Sequence, residues 1–303
     1  MSEATPDLSF LQARPIFTLQ SQDIALWLVG TGGTGSFLAR HMSRLAWLLQ
    51  TQHRKQVSVT FVDHDVVEPA NVLRQDFCQP EIGLPKARAL ALRYTAAFGI
   101  EIQTILERFH RDMLVRTQNS WKTLTIICGA VDNAQARQAI SEALQGNARG
   151  YTQEVPQIWY LDCGNALEAG QVLLGSTNNR EELADAFKLP GYCRKLPSPI
   201  MQHPELLVPL PEELTEHTLS CEQLLLANAQ SLMVNQQVAA YAAEMLYELL
   251  VTQRLRRFAT YFHQSSGTAS SRYISPMALA QAIGKDEAFF SLPPVADGGA
   301  DEQ

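Results

Sequence analysis

Four clusters in the first half of this 303-residue chain carry residue types that do chemistry. The first is Gly30-Thr31-Gly32-Gly33-Thr34-Gly35-Ser36. Glycines at this spacing allow a tight turn and let backbone N–H groups approach an anion at a helix N-terminus. Alone, the loop serves a dinucleotide as well as a nucleoside triphosphate. The second cluster runs Asp63-His64-Asp65-Val66-Val67-Glu68-Pro69-Ala70-Asn71-Val72-Leu73-Arg74-Gln75-Asp76-Phe77, and the third is Gly83-Leu84-Pro85-Lys86. A carboxylate ending a strand reaches ribose hydroxyls in either ligand. A hydride-transferring site has no task for an Asn, an Arg and a Lys just beyond it. Guanidinium and ammonium groups there suit phosphate oxygens and the charge that develops on them. The fourth cluster is Ala130-Val131-Asp132-Asn133. Its carboxylate, at the mouth of a sheet, suits Mg²⁺, which binds through one or two carboxylates plus phosphate oxygens.

The elements that position these clusters follow from the hydrophobic pattern. Continuous apolar or β-branched runs at 24–29, 57–62, 100–106, 124–128, 158–162 and 171–174 read as strands. Helical stretches at 36–49, 86–98 and 133–144 alternate with them. This order predicts an α/β fold: a doubly wound, Rossmann-like, mostly parallel sheet with helices on both faces and a C-terminal helical extension. Residues 1–20 read as an N-terminal arm, 21–175 as the nucleotide-binding domain and 176–220 as a Pro-rich crossover loop. Residues 221–290 read as a helical C-terminal part, with a long helix over 222–257, and 291–303 as a disordered tail.

Composition narrows the class. The net charge of -7 argues against a nucleic-acid binder, which shows a basic face. No run reaches the roughly 18 apolar residues of a membrane span, and the N-terminus lacks a signal-peptide pattern. Five scattered cysteines, with no CxxC pair, read as reduced thiols of a cytoplasmic protein rather than a disulfide framework or a tetracysteine zinc site.

Taken together, GxGGxGS, then DxDxVExxNxxRQxF, then GxxK, then a strand ending in DN resemble the adenylation domain of the ubiquitin-activating/ThiF/MoeB superfamily, over about residues 24–175. The resemblance implies an ATP-dependent adenylyltransferase that activates a C-terminal carboxylate as an acyl-adenylate and releases pyrophosphate. It implies an ATP site of Gly30, Gly32, Gly33, Gly35, Asp63, Asp65, Asn71, Arg74, Gln75, Lys86, Asp132 and Asn133. Within it, Asp63 would bind ribose, Asn71, Arg74 and Lys86 the phosphates, and Asp132 the Mg²⁺. Arg74, Lys86 and Asp132 would be catalytic. The CxxC pairs of MoeB-like members are missing, so no zinc is implied, and the basic segment 46–56 is longer than the family usually shows.

The second half matches through Thr218-Leu219-Ser220-Cys221 and a long helix with Asn235-Gln236, an arrangement similar to stand-alone bacterial ThiF-like proteins of the PRTRC gene system. Implied partners are a ubiquitin-like β-grasp protein as substrate, a conjugating-enzyme-like protein and a second copy in a homodimer. Arg14 is either a residue lent across that dimer or a surface arginine of the arm. Relatives that form a thioester point to Cys221, since a helix N-terminus lowers a thiol pKa. Cys193 is the second choice, Cys128 and Cys163 read as core residues, and Cys78, after the Arg74 motif, reads either as packing or as a residue near the nucleotide. Other readings are adenylation of a small peptide or a tRNA-linked carboxylate, a NAD-dependent oxidoreductase on the same fold, and a scaffold without turnover.

Overall fold

The sheet is built outward from β1 (Asp23–Val29), a strand apolar at nearly every position. Ile24, Leu26 and Leu28 enter one core layer, and Ala25, Trp27 and Val29 enter the other. Burial on both faces is what parallel strands require, because crossover helices cover each side. The computed structural model describes residues 9–117, 122–149, 155–208 and 221–290. The remaining strands are β2 (Gln56–Val62), β3 (Ile102–Ile105), β4 (Leu124–Gly129), β5 (Ile158–Asn165), β6 (Ala169–Gly175), β7 (Arg257–His263) and β8 (Thr268–Tyr273). All eight form one sheet in the order β3-β2-β1-β4-β5-β6-β7-β8. The pairings from β3 to β5 are parallel, and those from β5 to β8 are antiparallel.

The described helices are α1 (Ser9–Gln12), α2 (Gly33–Gln52), α3 (Lys86–Phe98), α4 (Asp112–Thr117), α5 (Ala134–Ala143), α6 (Pro199–Gln202), α7 (Cys221–Tyr247) and α8 (Pro276–Ile283). Leu38 and Met42 of α2, Leu90 of α3, and Val234 and Val238 of α7 fill the layer under Leu26 and Leu28. Met113 of α4 and Ile140 of α5 fill the other with Trp27. The expected doubly wound sheet with helices on both faces is what forms. No described helix is long and apolar enough to cross a membrane.

The structure differs from the sequence reading in four places. First, α2 begins at Gly33 rather than residue 36, which brings Gly35 against the Gly30 carbonyl: a Cβ on Gly35 would sit 2.0 Å from that oxygen. Second, residues 257–290 are not wholly helical. The helical period ends where Glu248–Thr252 loosens into a π turn and Gln253 takes φ 54°. The next segment, RFATYFH, then pairs with β6 and buries Phe258 and Phe262 under α7. Third, residues 13–17 are tied down rather than loose: the N–H groups of Arg14, Ile16 and Phe17 donate to the carbonyls of Ile274, Leu255 and Cys193 at 2.8–2.9 Å. Fourth, the Pro-rich stretch up to residue 208 is packed. Leu183, Ala186, Cys193 and Leu196 are fully buried, and Ser176 and Ser198 take part in backbone bonds to Leu196 and Thr177. Irregular backbone is tolerated in a core when its polar groups find such partners. Residues 209–220 and 291–303 lie outside the described residues.

Because β7 shares the main core, it contributes to global stability. Phe258 is completely buried, and truncating such a ring costs about 3–5 kcal/mol. Phe258→Ala therefore lowers the urea midpoint of the whole protein in a single transition. An unchanged midpoint would place β7 outside the cooperative core.

Candidate functional site

Chain order reverses between β1 and β4: β1 leads to β2 on one side, while β4 lies on the other. Crossover loops diverge at such a switch point and leave a crevice at the carboxyl ends of the strands. A cavity of about 720 Å³ opens there, within the usual range for a small ligand. The glycine loop, segments 62–75 and 107–109, Lys86, segment 130–139, Asn165 and Asn235 contribute to its wall.

The glycine loop leaves β1 through Gly30, whose φ of +83° disfavours a side chain; a Cβ there would meet the Ala130 carbonyl at 2.5 Å. Gly32 precedes α2 and no side chain caps it. The first N–H groups of a 20-residue helix thus face the cavity without a side-chain partner. That is the setting in which helix N-termini take anions. Ser36 turns inward, donating its hydroxyl to the Gly33 carbonyl at 2.9 Å and accepting the Asp76 N–H at 2.9 Å.

Asp63 follows β2 and is nearly buried, 8% exposed. Its Oδ2 accepts from the Thr31 N–H at 2.6 Å and the Thr31 hydroxyl at 2.8 Å, and its Oδ1 accepts the Asp65 N–H at 2.9 Å. Asp63 therefore fixes the glycine loop. A carboxylate with about four acceptor positions keeps capacity for a further donor. Thr31 was not read as a site residue from sequence, because a hydroxyl between glycines has no distinguishing spacing.

Segment 68–75 is a capped 3₁₀ turn. Pro69 starts it, and the Glu68 N–H donates to Asn71 Oδ1 at 2.9 Å. Asn71 is thus buried in the turn, while Arg74 stands exposed at the cavity rim. Gln75 is buried beside Gly32, and its Oε1 has no hydrogen-bond partner among the described residues. The segment is clamped from behind: Arg93 donates to the Asp76 carbonyl at 2.8 Å and pairs with Glu81, and the Tyr94 hydroxyl donates to Asp76 Oδ2 at 2.7 Å.

Lys86 opens α3, where the helix dipole disfavours a cation. Asp65 compensates: Lys86 Nζ donates to Asp65 Oδ2 at 2.9 Å. Burial by itself raises the Asp65 pKa, but the hydrogen bond and charge of Lys86 outweigh it and hold the carboxyl below its ordinary value.

On the opposite wall, Asn133 caps α5 by accepting the Ala136 N–H at 2.8 Å, and its amide donates to Asp132 Oδ1 at 3.1 Å. The loop carrying Asp132 is braced by Arg137, which donates to the Val131 carbonyl at 2.9 Å and to the buried Asp162 at 3.2 Å. Burial pushes the Asp162 carboxyl up, and Arg137 and the Tyr160 hydroxyl, 2.6 Å from Oδ1, pull against it. Asp63, His64 and Asp65 also bring ligand atoms within 4.8 Å of one another. Thr31 and Lys86 already occupy oxygens of those two carboxylates, whereas Asp132 is exposed and, among the described residues, accepts from the Asn133 amide. Asp132 is therefore the better fit to a divalent ion bound with phosphate oxygens.

The thiols separate by burial. Cys128, Cys163 and Cys193 are buried, and burial pushes all three up, Cys193 to about 12. Cys193, the second-choice nucleophile, is thus a protonated thiol donating to the Lys195 carbonyl at 3.1 Å. Cys221 is the first residue of α7, and its side chain lies outside the described residues. Along the helix axis it is about 21 Å from Asn235 at 1.5 Å per residue. Arg14 stacks its guanidinium over the Phe187 ring of its own chain, 5.0 Å from the centroid.

The Asp65–Lys86 pair gives a pH dependence of defined sign. A lowered folded-state pKa means that the pair stabilises the fold above the ordinary carboxylate value near 4, with the contribution lost as pH falls through the lowered value. Asp65→Asn therefore melts below the wild type at neutral pH, and the gap in Tm closes as pH falls from about 4 into strong acid. A gap that stays constant through that range would mean that the pair contributes nothing.

Residues 17–150 match the ThiF family. A 128-residue stretch is 30% identical to ubiquitin-activating enzyme E1 2 of Arabidopsis thaliana, covering 40% of this chain and 11% of that one. Among solved structures the fold is similar to PaaA, with TM-score 0.53 and 13% identity over 84% of this chain and 64% of that one. It is also similar to E. coli MccB solved with ATP, with TM-score 0.52 and 12% identity over 85% of this chain and 64% of that one. The chain thus spans a small part of the plant enzyme and less than two thirds of these solved chains. Over residues 17–150, under half of its length, the chain is similar to the ThiF family.

Proposed function

We propose that this chain is an ATP-dependent adenylyltransferase that activates the C-terminal carboxylate of a ubiquitin-like protein. One observation carries the reading: an uncapped helix N-terminus, the cationic side chains of Arg74, Lys86 and Arg108, and the accessible carboxylate of Asp132 line one cavity at the switch point of the sheet. The likeness of a 128-residue stretch to a ubiquitin-activating enzyme supports the substrate class. The shared fold with MccB, solved with ATP and in complex with N-formylated MccA, is compatible with a peptide carboxylate as the second reading. A nicotinamide ligand would leave Arg74, Lys86 and Asp132 without a task.

In this reading ATP lies with its phosphates over the N–H groups of Gly33 to Gly35 and its ribose toward Asp63. A carboxylate oxygen of the acceptor attacks the α-phosphorus. The bond from that phosphorus to the oxygen bridging the β-phosphate breaks, and pyrophosphate leaves with the electron pair. Arg74 and Lys86 balance the charge that builds on the phosphate oxygens; Lys86 is aimed by Asp65 and does not need to reorganise. Magnesium, held by Asp132 beside Asn133, would neutralise the pyrophosphate. Asn71 and Gln75 shape the wall that receives the α-phosphate. A thioester on Cys221 is a separate later step, because about 21 Å of helix divides that residue from the cavity wall.

Loss of a preorganised cationic donor typically costs about 3–4 kcal/mol in the transition state. Lys86→Ala therefore slows single-turnover adenylate formation by about 10²–10³, with a smaller effect on ATP affinity. An intact chemical step with weakened binding alone would remove Lys86 from catalysis. Asp132→Ala abolishes the Mg²⁺ dependence of turnover while the melting temperature is kept, and near-normal turnover in that variant would refute the metal assignment.

A further inference from the structure

We infer that Asn235, supplied by α7 from outside the ThiF-matched region, is a positioning residue of the nucleotide site that also offers it a hydrogen-bond donor. The inference rests on the ATP reading above. Asn235 is 2% exposed and lines the cavity. Its neighbours on the same helix face, Val234, Val238 and Ala239, are completely buried and apolar. A lone amide in such a face costs stability unless it is hydrogen-bonded.

The bonds it makes tie three segments together. Asn235 Oδ1 accepts from the Thr34 hydroxyl at 3.1 Å, in the first turn of α2, and from Asn165 Nδ2 at 2.8 Å, at the end of β5. With both partners donating to the oxygen, Nδ2 is left toward the Arg74 carbonyl. A Cβ on Gly33 would lie 2.8 Å from Nδ2, so glycine at this position is what lets the amide approach. Nδ2 carries two hydrogens, yet its one described acceptor is the Arg74 carbonyl at 3.5 Å, the outer limit of a hydrogen bond. A donor is therefore held beside the N–H groups that would receive the phosphates, next to the separate segment that carries Arg74. The asparagine both sets the loop and adds to its donors.

The test is titration calorimetry of the full-length chain with MgATP. Asn235→Leu keeps the volume and removes every bond; Asn235→Asp keeps the acceptor for Thr34 and Asn165 but replaces the donor with negative charge. Expected results are an affinity loss of about tenfold for the leucine variant and a loss at least as large, and salt-dependent, for the aspartate variant. The aspartate variant melts below the wild type, because its charge sits in a buried face, so its affinity is read below the onset of its own unfolding. Combining Asn235→Leu with Thr34→Val adds little further loss, because both remove one bond. Should the leucine variant not fold, the aspartate variant alone decides. Wild-type ATP affinity in a folded aspartate variant would overturn the inference and leave the ATP reading standing. A wild-type chain that does not bind MgATP would overturn both.

Discussion

The carboxylate of Asp63 holds two loops at once. By accepting both donors of Thr31 and the N–H of Asp65, it welds the turn after β1 to the end of β2. Neighbouring strands of a parallel sheet end at the same level, so their loops compete for one space. Here a nearly buried acid resolves that competition. Everything else at the cavity is placed relative to this weld. The first turn of α2 is left uncapped and open. Asp65 is set where it can aim Lys86, and the turn carrying Asn71, Arg74 and Gln75 departs in a fixed direction.

A second constraint comes from the opposite face. The 27-residue helix α7 packs along α2 and delivers the Asn235 amide to the glycine loop. The antiparallel strands β6 to β8 then extend the parallel sheet, and Phe258 and Phe262 lock α7 onto it. The half that carries the glycine loop and the C-terminal half therefore share one core. In that core an apolar change at α7 reaches the first turn of α2 through packed side chains.

Much of the site was legible because its residues are constrained by chemistry and backbone geometry. Gly30 needs positive φ and Gly35 needs the absence of a side chain, and both requirements are written as glycine. The strands β1, β4 and β5 were legible as apolar runs buried on both faces, and β2 and the edge strand β3 as apolar or β-branched runs. The C-terminal hairpin was not: β8, TASSRY, is an exposed edge strand whose polar residues resemble a loop, and its order comes from pairing with β7. Residues 13–17 were equally silent, since they are held by backbone bonds to distant carbonyls rather than by any pattern of their own. Thr31 and Asn165 became visible only once the fold set them beside Asp63 and Asn235. Asn235 itself could be noted in the sequence, but its task depends on a contact between residues 201 positions apart.

The central claim is that this cavity activates a carboxylate with ATP. Its most direct test is ATP–pyrophosphate exchange by the purified chain, with small proteins ending in glycine as candidate acceptors. The account predicts Mg²⁺-dependent exchange that appears only with an acceptor and is lost when its terminal glycine is removed. Binding of ATP without exchange, for every protein and peptide acceptor tried, would contradict it.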